Sequence, residues 1–236
     1  MDKKIRYFRY VVFGFFLLSL FFYIKDYYNI SKTNEKLKTV NKTEIENNDI
    51  ENSINDLKIN YNNDDIIAVL KIGDIINVPI VKTVDNQFYL HHDIYKKENI
   101  IGAVFMDYKN DASDKHINIY GHNARYHEVP FKNLISYMDY DFYKDNKVIE
   151  LYINNSKLNY KIVNIKTTTK YAREEHLKLD FDSNEKWAKH FDILSSDSLF
   201  KIDDKLEKDD NILVLQTCIL DKDDDKMLIV VAKLVE

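Results

Sequence analysis

The chain has 236 residues and a formal net charge of −5, from 34 basic and 39 acidic side chains. Apolar residues make up 45% and charged residues 31%, so the chain can bury a sizeable core and is not disordered as a whole. With 4 Gly and 2 Pro it is neither collagen-like nor of low complexity, and its acidic balance argues against a nucleic-acid binder that relies on a basic surface. The single cysteine, Cys218, excludes an intramolecular disulfide and any multi-thiolate metal site.

In chain order, Lys3, Lys4, Arg6 and Arg9 precede an apolar run at 10–24, closed by Lys25 and Asp26. The run is short for a full span, but Tyr7 and Phe8 extend it and Arg9 can snorkel. No small-residue cleavage pattern follows, so an uncleaved anchor is expected over a cleaved signal peptide. The cations place the N-terminus in the cytoplasm and the remainder outside. Residues 29–62 are rich in Asn, Lys, Glu and Asp, with widely spaced apolar positions. They read as a polar stalk or linker in which a short helix has room to form. The expected division is a membrane anchor at 1–28, a stalk at 29–62 and a folded domain at 63–236.

The folded part begins where short β-branched runs bounded by turn residues set in. Strands are predicted at 66–72, 75–81, 101–106, 117–120, 148–153, 158–168, 212–217 and 227–234. Asn154-Asn155 marks a hairpin. Helical periodicity covers 131–145 and 183–194, the second capped by Ser183 or Asn184. Eight strands with two or three helices predict a mainly β fold, a barrel with helical insertions rather than alternating β-α units.

Cys218 ends the apolar strand Leu213-Val214-Leu215-Gln216-Thr217 and stands before the polar stretch 221–226. A buried small hydrophobe is the ordinary reading of one cysteine. An unpaired thiol outside the cell is instead flagged as reactive. A cysteine nucleophile needs a base or cation to hold its thiolate. Of the histidines at 91, 92, 116, 122, 127, 176 and 190, His122 ends a strand after Gly121, and the others lie in polar stretches expected to be solvated.

Tyr120-Gly121-His122-Asn123 and Leu215-Gln216-Thr217-Cys218 resemble the two signature segments of sortases, in the same order along the chain. Further segments resemble class B sortases: Pro79-Ile80-Val81 with Asp85 to Leu90, Gly102 to Tyr108, Phe131-Lys132-Asn133-Leu134, and the helix around Trp187. The resemblance runs from about residue 63 to the end. It implies a closed, eight-stranded sortase-type β-barrel, preceded here by an N-terminal transmembrane helix. It implies His122 and Cys218 as catalytic residues, with neither cofactor nor metal. The expected partners are secreted proteins bearing a C-terminal sorting signal. The expected acceptor is a peptidoglycan-precursor or pilin amine.

The third catalytic residue of the family, an arginine on the last strand, has no counterpart. Ala232-Lys233-Leu234 aligns with the end of that strand and puts Met227 at the arginine position. Lys226, one residue earlier, is the expected stand-in, with Arg125 as a second candidate. A slip of one residue, however, moves a side chain to the opposite face of a strand. Gln216 also stands where class B enzymes usually have Ser. The competing expectations are a catalytically weak sortase-like domain that binds peptide or cell wall, and a scaffold with a buried cysteine.

Overall fold

The computed structural model describes residues 3–40, 49–124, 128–220 and 225–235. Its elements are helix α1 (Lys3–Val40), helix α2 (Ile50–Tyr61), strands β1 (Ile66–Ile72), β2 (Ile76–Val81), β3 (Phe105–Met106) and β4 (His116–Tyr120), and a 3-10 helix at Pro130–Met138. Helix α3 (Tyr140–Asp145), strands β5 (Val148–Ile153) and β6 (Ser156–Thr169), helices α4 (Arg173–Leu177) and α5 (Asn184–Ser195), and strands β7 (Ile212–Ile219) and β8 (Lys226–Leu234) follow.

The strands close into an eight-stranded barrel in the order β1-β2-β3-β4-β7-β8-β6-β5. Closure leaves no sheet edge unpaired. Most neighbours are antiparallel, but β2 with β3 and β4 with β7 run parallel. The second parallel pair matters most, because it brings the C-terminal ends of β4 and β7 side by side. The barrel interior is filled by inward positions such as Leu70, Ile80, Ile117, Ile119, Leu213, Leu215, Leu228 and Val230. Outward positions of β7 and β8, Ile212, Val214, Ile229 and Val231, are covered by Phe191 and Leu194 of α5. Both faces of these strands are thus buried, which is why they read as continuous apolar runs rather than alternating ones.

Several local features follow from single residues. Asn154 and Asn155 both hold positive φ, 49° and 58°, in the two-residue turn between β5 and β6. The helix expected over 131–145 is divided at Asp139. Its side chain accepts from the backbone N–H groups of Asp141 and Phe142 and so starts α3 after the 3-10 segment. The strand expected at 101–106 shortens to Phe105–Met106. The preceding backbone pairs with a loop instead: Gly102 N–H donates to Asn99 and Ala103 N–H to Tyr89.

Within the segment expected as stalk, residues 50–61 form α2. Its face of Ile50, Ile54, Leu57 and Tyr61 is buried against Ile66, Val69 and Tyr152. Burying four such side chains contributes about 2 kcal/mol each, enough to hold a 12-residue helix on the barrel. The four positions are spaced at 4, 3 and 4, the stripe of an amphipathic helix. Helix α1 carries a 30-residue stretch, Lys3–Lys32, long and apolar enough to cross a bilayer. Beyond its apolar part, Ile30 is buried with Ile101 and Val129.

Candidate active site

His122 and Cys218 are brought together by register. In the parallel β4–β7 pair, Tyr120 lies opposite Gln216, and Gly121 N–H donates to the Gln216 carbonyl at 3.2 Å. The pairing ends there, and His122 and Cys218, each two residues further on, line the same cleft. Two side-chain bonds tie the ends together. Thr217 Oγ1 donates to the Gly121 carbonyl at 2.8 Å, and Asn123 Nδ2 donates to the Cys218 carbonyl at 2.9 Å.

Both residues line a cleft of about 780 Å³ on the outer face of the barrel. Its floor holds Tyr120, Gln216 and Met227, and its walls are the segments 86–90, 105–109 and 173–180. Cys218 is half-buried and in no disulfide.

His122 is held from behind. Its Nε2 lies 3.0 Å from the Leu90 carbonyl. A carbonyl only accepts, so in the neutral ring the proton sits on Nε2 and Nδ1 is the basic nitrogen. Burial pushes the ring below its ordinary value of 6.5. The Leu90 carbonyl opposes that shift and His91 adds to it. The ring therefore enters neutral solution as a base rather than a cation.

A second polar cluster lies in the same cleft. The Asp107 carboxylate accepts from Tyr120 Oη at 2.7 Å and from Asn86 Nδ2 at 2.8 Å. The backbone N–H of Lys109 donates to its other oxygen at 2.9 Å. Burial first, and then Asp107, keep the Tyr120 phenol protonated. These groups lie in segments noted in the sequence, Asp85 to Leu90 and Gly102 to Tyr108, but only the fold joins them.

The placement of Lys226 corrects an expectation. Cys218 pairs with Met227 across β7–β8, and Ile219 pairs with Lys226. Alternation along the strands puts Cys218 and Met227 on the outer face, with the cleft. Lys226 shares the parity of Ile219, a core residue, and is exposed at the barrel rim rather than lining the cleft. Met227 is buried and receives the Gln216 amide, whose Nε2 lies 3.1 Å from its Sδ. Arg125 lies outside the described residues.

The expectation of solvated histidines also changes. His116, His176 and His190 are all buried. Arg173, in the first turn of α4, lines the cleft together with Lys109 and Lys178. A helix of five residues is too short to leave a periodic trace, so this position went unread. Among the described residues, no group of three or more His, Cys, Asp or Glu is placed to hold a metal ion.

Residues 67–235 match the Sortase domain, and the chain belongs to the sortase family of cysteine transpeptidases. Within that family it is class B-like. Sortase B of Staphylococcus aureus (strain NCTC 8325 / PS 47) is 27% identical over 179 residues, covering 74% of this chain and 72% of that protein. Sortase B of Listeria monocytogenes serovar 1/2a is 28% identical over 178 residues, covering 73% and 71%. The X-ray structure of Clostridium perfringens sortase B superposes with a TM-score of 0.70 at 32% identity, covering 77% of this chain and 99% of that one.

Proposed function

We propose that this sortase is anchored by α1 with its N-terminus in the cytoplasm, and that it works on the outer face of the membrane. It would cleave a C-terminal sorting signal on secreted proteins and join them to an amine of a peptidoglycan precursor or of a pilin subunit. The observation that carries the chemical part is the shared cleft of His122 and Cys218 at adjacent strand ends.

The Cys218 thiol gives its proton to His122 Nδ1, and Sγ attacks the carbonyl carbon of the scissile peptide bond. The C–N bond breaks as His122 returns that proton to the leaving amine, and a thioester remains on Cys218. The acceptor amine then attacks the thioester. Its proton passes through His122 to the departing thiolate.

Cys218→Ala is expected to abolish cleavage of quenched-fluorophore peptides built around a central Thr. His122→Ala is expected to slow it by at least about 10²-fold. Retained cleavage by Cys218→Ala would reject the covalent route. A second reading is favoured by Met227 at the aligned arginine position: a sortase-like domain of weak activity that binds peptide or wall. Binding of the same peptides without turnover would support it.

A further inference from the structure

We infer that Arg173, on α4, supplies the cation of the cleft that the last strand lacks, and that it sits over the reacting carbonyl from the opposite wall. The inference rests on the thioester reading given above. Its starting point is chemical. The tetrahedral intermediate on Cys218 carries an oxyanion, and a charged donor near it is a large contribution to such a reaction. Directly across from Cys218 stands Met227, a thioether with no proton to donate.

Among the described residues, three cationic side chains line the cleft: Lys109, Arg173 and Lys178. Lys109 is committed to Asp180 through an ion pair that raises its pKa. Lys178 Nζ lies 5.6 Å from the centre of the Phe181 ring. Arg173 is exposed, forms no ion pair among the described residues, and lies close enough to Tyr120 for its charge to favour the phenolate. Tyr120 is two residues from His122, on the strand that pairs with β7. A guanidinium also offers a planar fork of donors to a carbonyl oxygen, which an ammonium does not.

The helix that carries Arg173 is fixed in place, although it is short. Three of its flanking or internal carbonyls are taken by side chains. His176 Nδ1 lies 3.1 Å from the Ala172 carbonyl, His190 Nδ1 2.8 Å from that of Glu175, and Asn118 Nδ2 donates to Leu177 at 2.8 Å. His190 and Asn118 are buried and come from α5 and β4. The wall bearing Arg173 is thereby referenced to the strand that ends in His122.

The test uses the full chain in detergent micelles. Cys218 is its sole cysteine, so labelling reports one sulfur. The rates of modification by an anionic sulfonatoethyl and a cationic trimethylammonium-ethyl methanethiosulfonate are compared. Arg173→Gln is expected to lower the anionic-to-cationic rate ratio about fivefold, Arg173→Lys to preserve most of it, and Lys226→Gln to leave it within about twofold. On the cleaved peptide, Arg173→Gln is expected to lower kcat by about 10²-fold with little change in KM. Met227→Arg in that background is expected to restore part of the loss. An unchanged ratio, or an unchanged kcat, for Arg173→Gln would overturn the assignment. A wild type that is labelled but cleaves no peptide would instead reject the transpeptidase reading beneath it. Because Arg173 is exposed, thermal melting of the variants should match the wild type, and Arg173→Lys tests the same charge should it not.

Discussion

Gly102 supports the candidate base from behind. Its φ of +58° is unfavourable for any side chain, and a Cβ there would lie 2.3 Å from the Tyr89 carbonyl oxygen, 3.0 Å from that of Leu90 and 3.1 Å from His122 Cδ2. The Leu90 carbonyl is the same group that sets the His122 tautomer. Gly102→Ala therefore strains the backbone and displaces the acceptor at once. It is expected to cost about 2 kcal/mol of stability, read by urea unfolding, and to slow peptide cleavage by about tenfold or more in the folded protein. Equal cleavage rates for variant and wild type would mean that the 89–90 carbonyls do not position the ring. The sequence announced His122 and Cys218 through short motifs, because strand-end chemistry is local. Gly102 was quoted within such a motif, yet its role needed the loop 88–99 to be folded against it.

At the scale of elements, α4 and α5 are held to β4 by buried histidines. Among the described residues, His116 has no hydrogen-bond partner on either ring nitrogen, and its ring centroid is 5.2 Å from that of His190. Burial, then the neighbouring His190, pushes His116 down to about 3, against a small opposing effect of Asn118 and Asp114. Burial likewise brings His190 to about 4, with His176 and Lys178 lowering it and the Glu175 carbonyl opposing. Both folded values lie below the unfolded value near 6.5. The unfolded chain thus binds more protons in between, and stability is full above about pH 6.5 and lost as pH falls toward 4. His116→Leu removes one such group without leaving a donor unpaired. It is expected to raise the melting temperature at pH 5 relative to the wild type and to flatten the decline between pH 6.5 and 4.5. A parallel decline in both proteins would assign the acid sensitivity elsewhere. The strands around these helices were legible, since β1 and β5 match their expected bounds, and β-branched runs carry that signal. Helix α4 was not, because a single turn and a half has no period. The burial of His116, His176 and His190 was not either, because α4 and α5 cover them only once these helices pack on the outer face of the barrel.

At the scale of the whole molecule, the chain carries an apolar helix and a closed barrel, and α2, from the segment between them, is docked on the barrel. Charge and spacing marked the apolar helix, and β-branched runs with turn residues marked the barrel. The docking of α2 was harder to see, because four apolar positions among many polar ones look dilute until a barrel surface stands beside them. Ile30 of α1 packs with Ile101 and Val129, the latter immediately before the 3-10 helix that follows the His122 loop. The fold thus collects the candidate catalytic pair at one end of one parallel strand pair, where the proposed thioester forms on Cys218. The direct measurement is the intact mass of the full chain after incubation with a cleavable sorting-type peptide and no acceptor amine, quenched in acid. The expected result is a mass increase equal to the acyl part of the peptide, removable by hydroxylamine and absent from Cys218→Ala. Peptide cleavage with no adduct on the wild type, or an adduct that persists in Cys218→Ala, would contradict it.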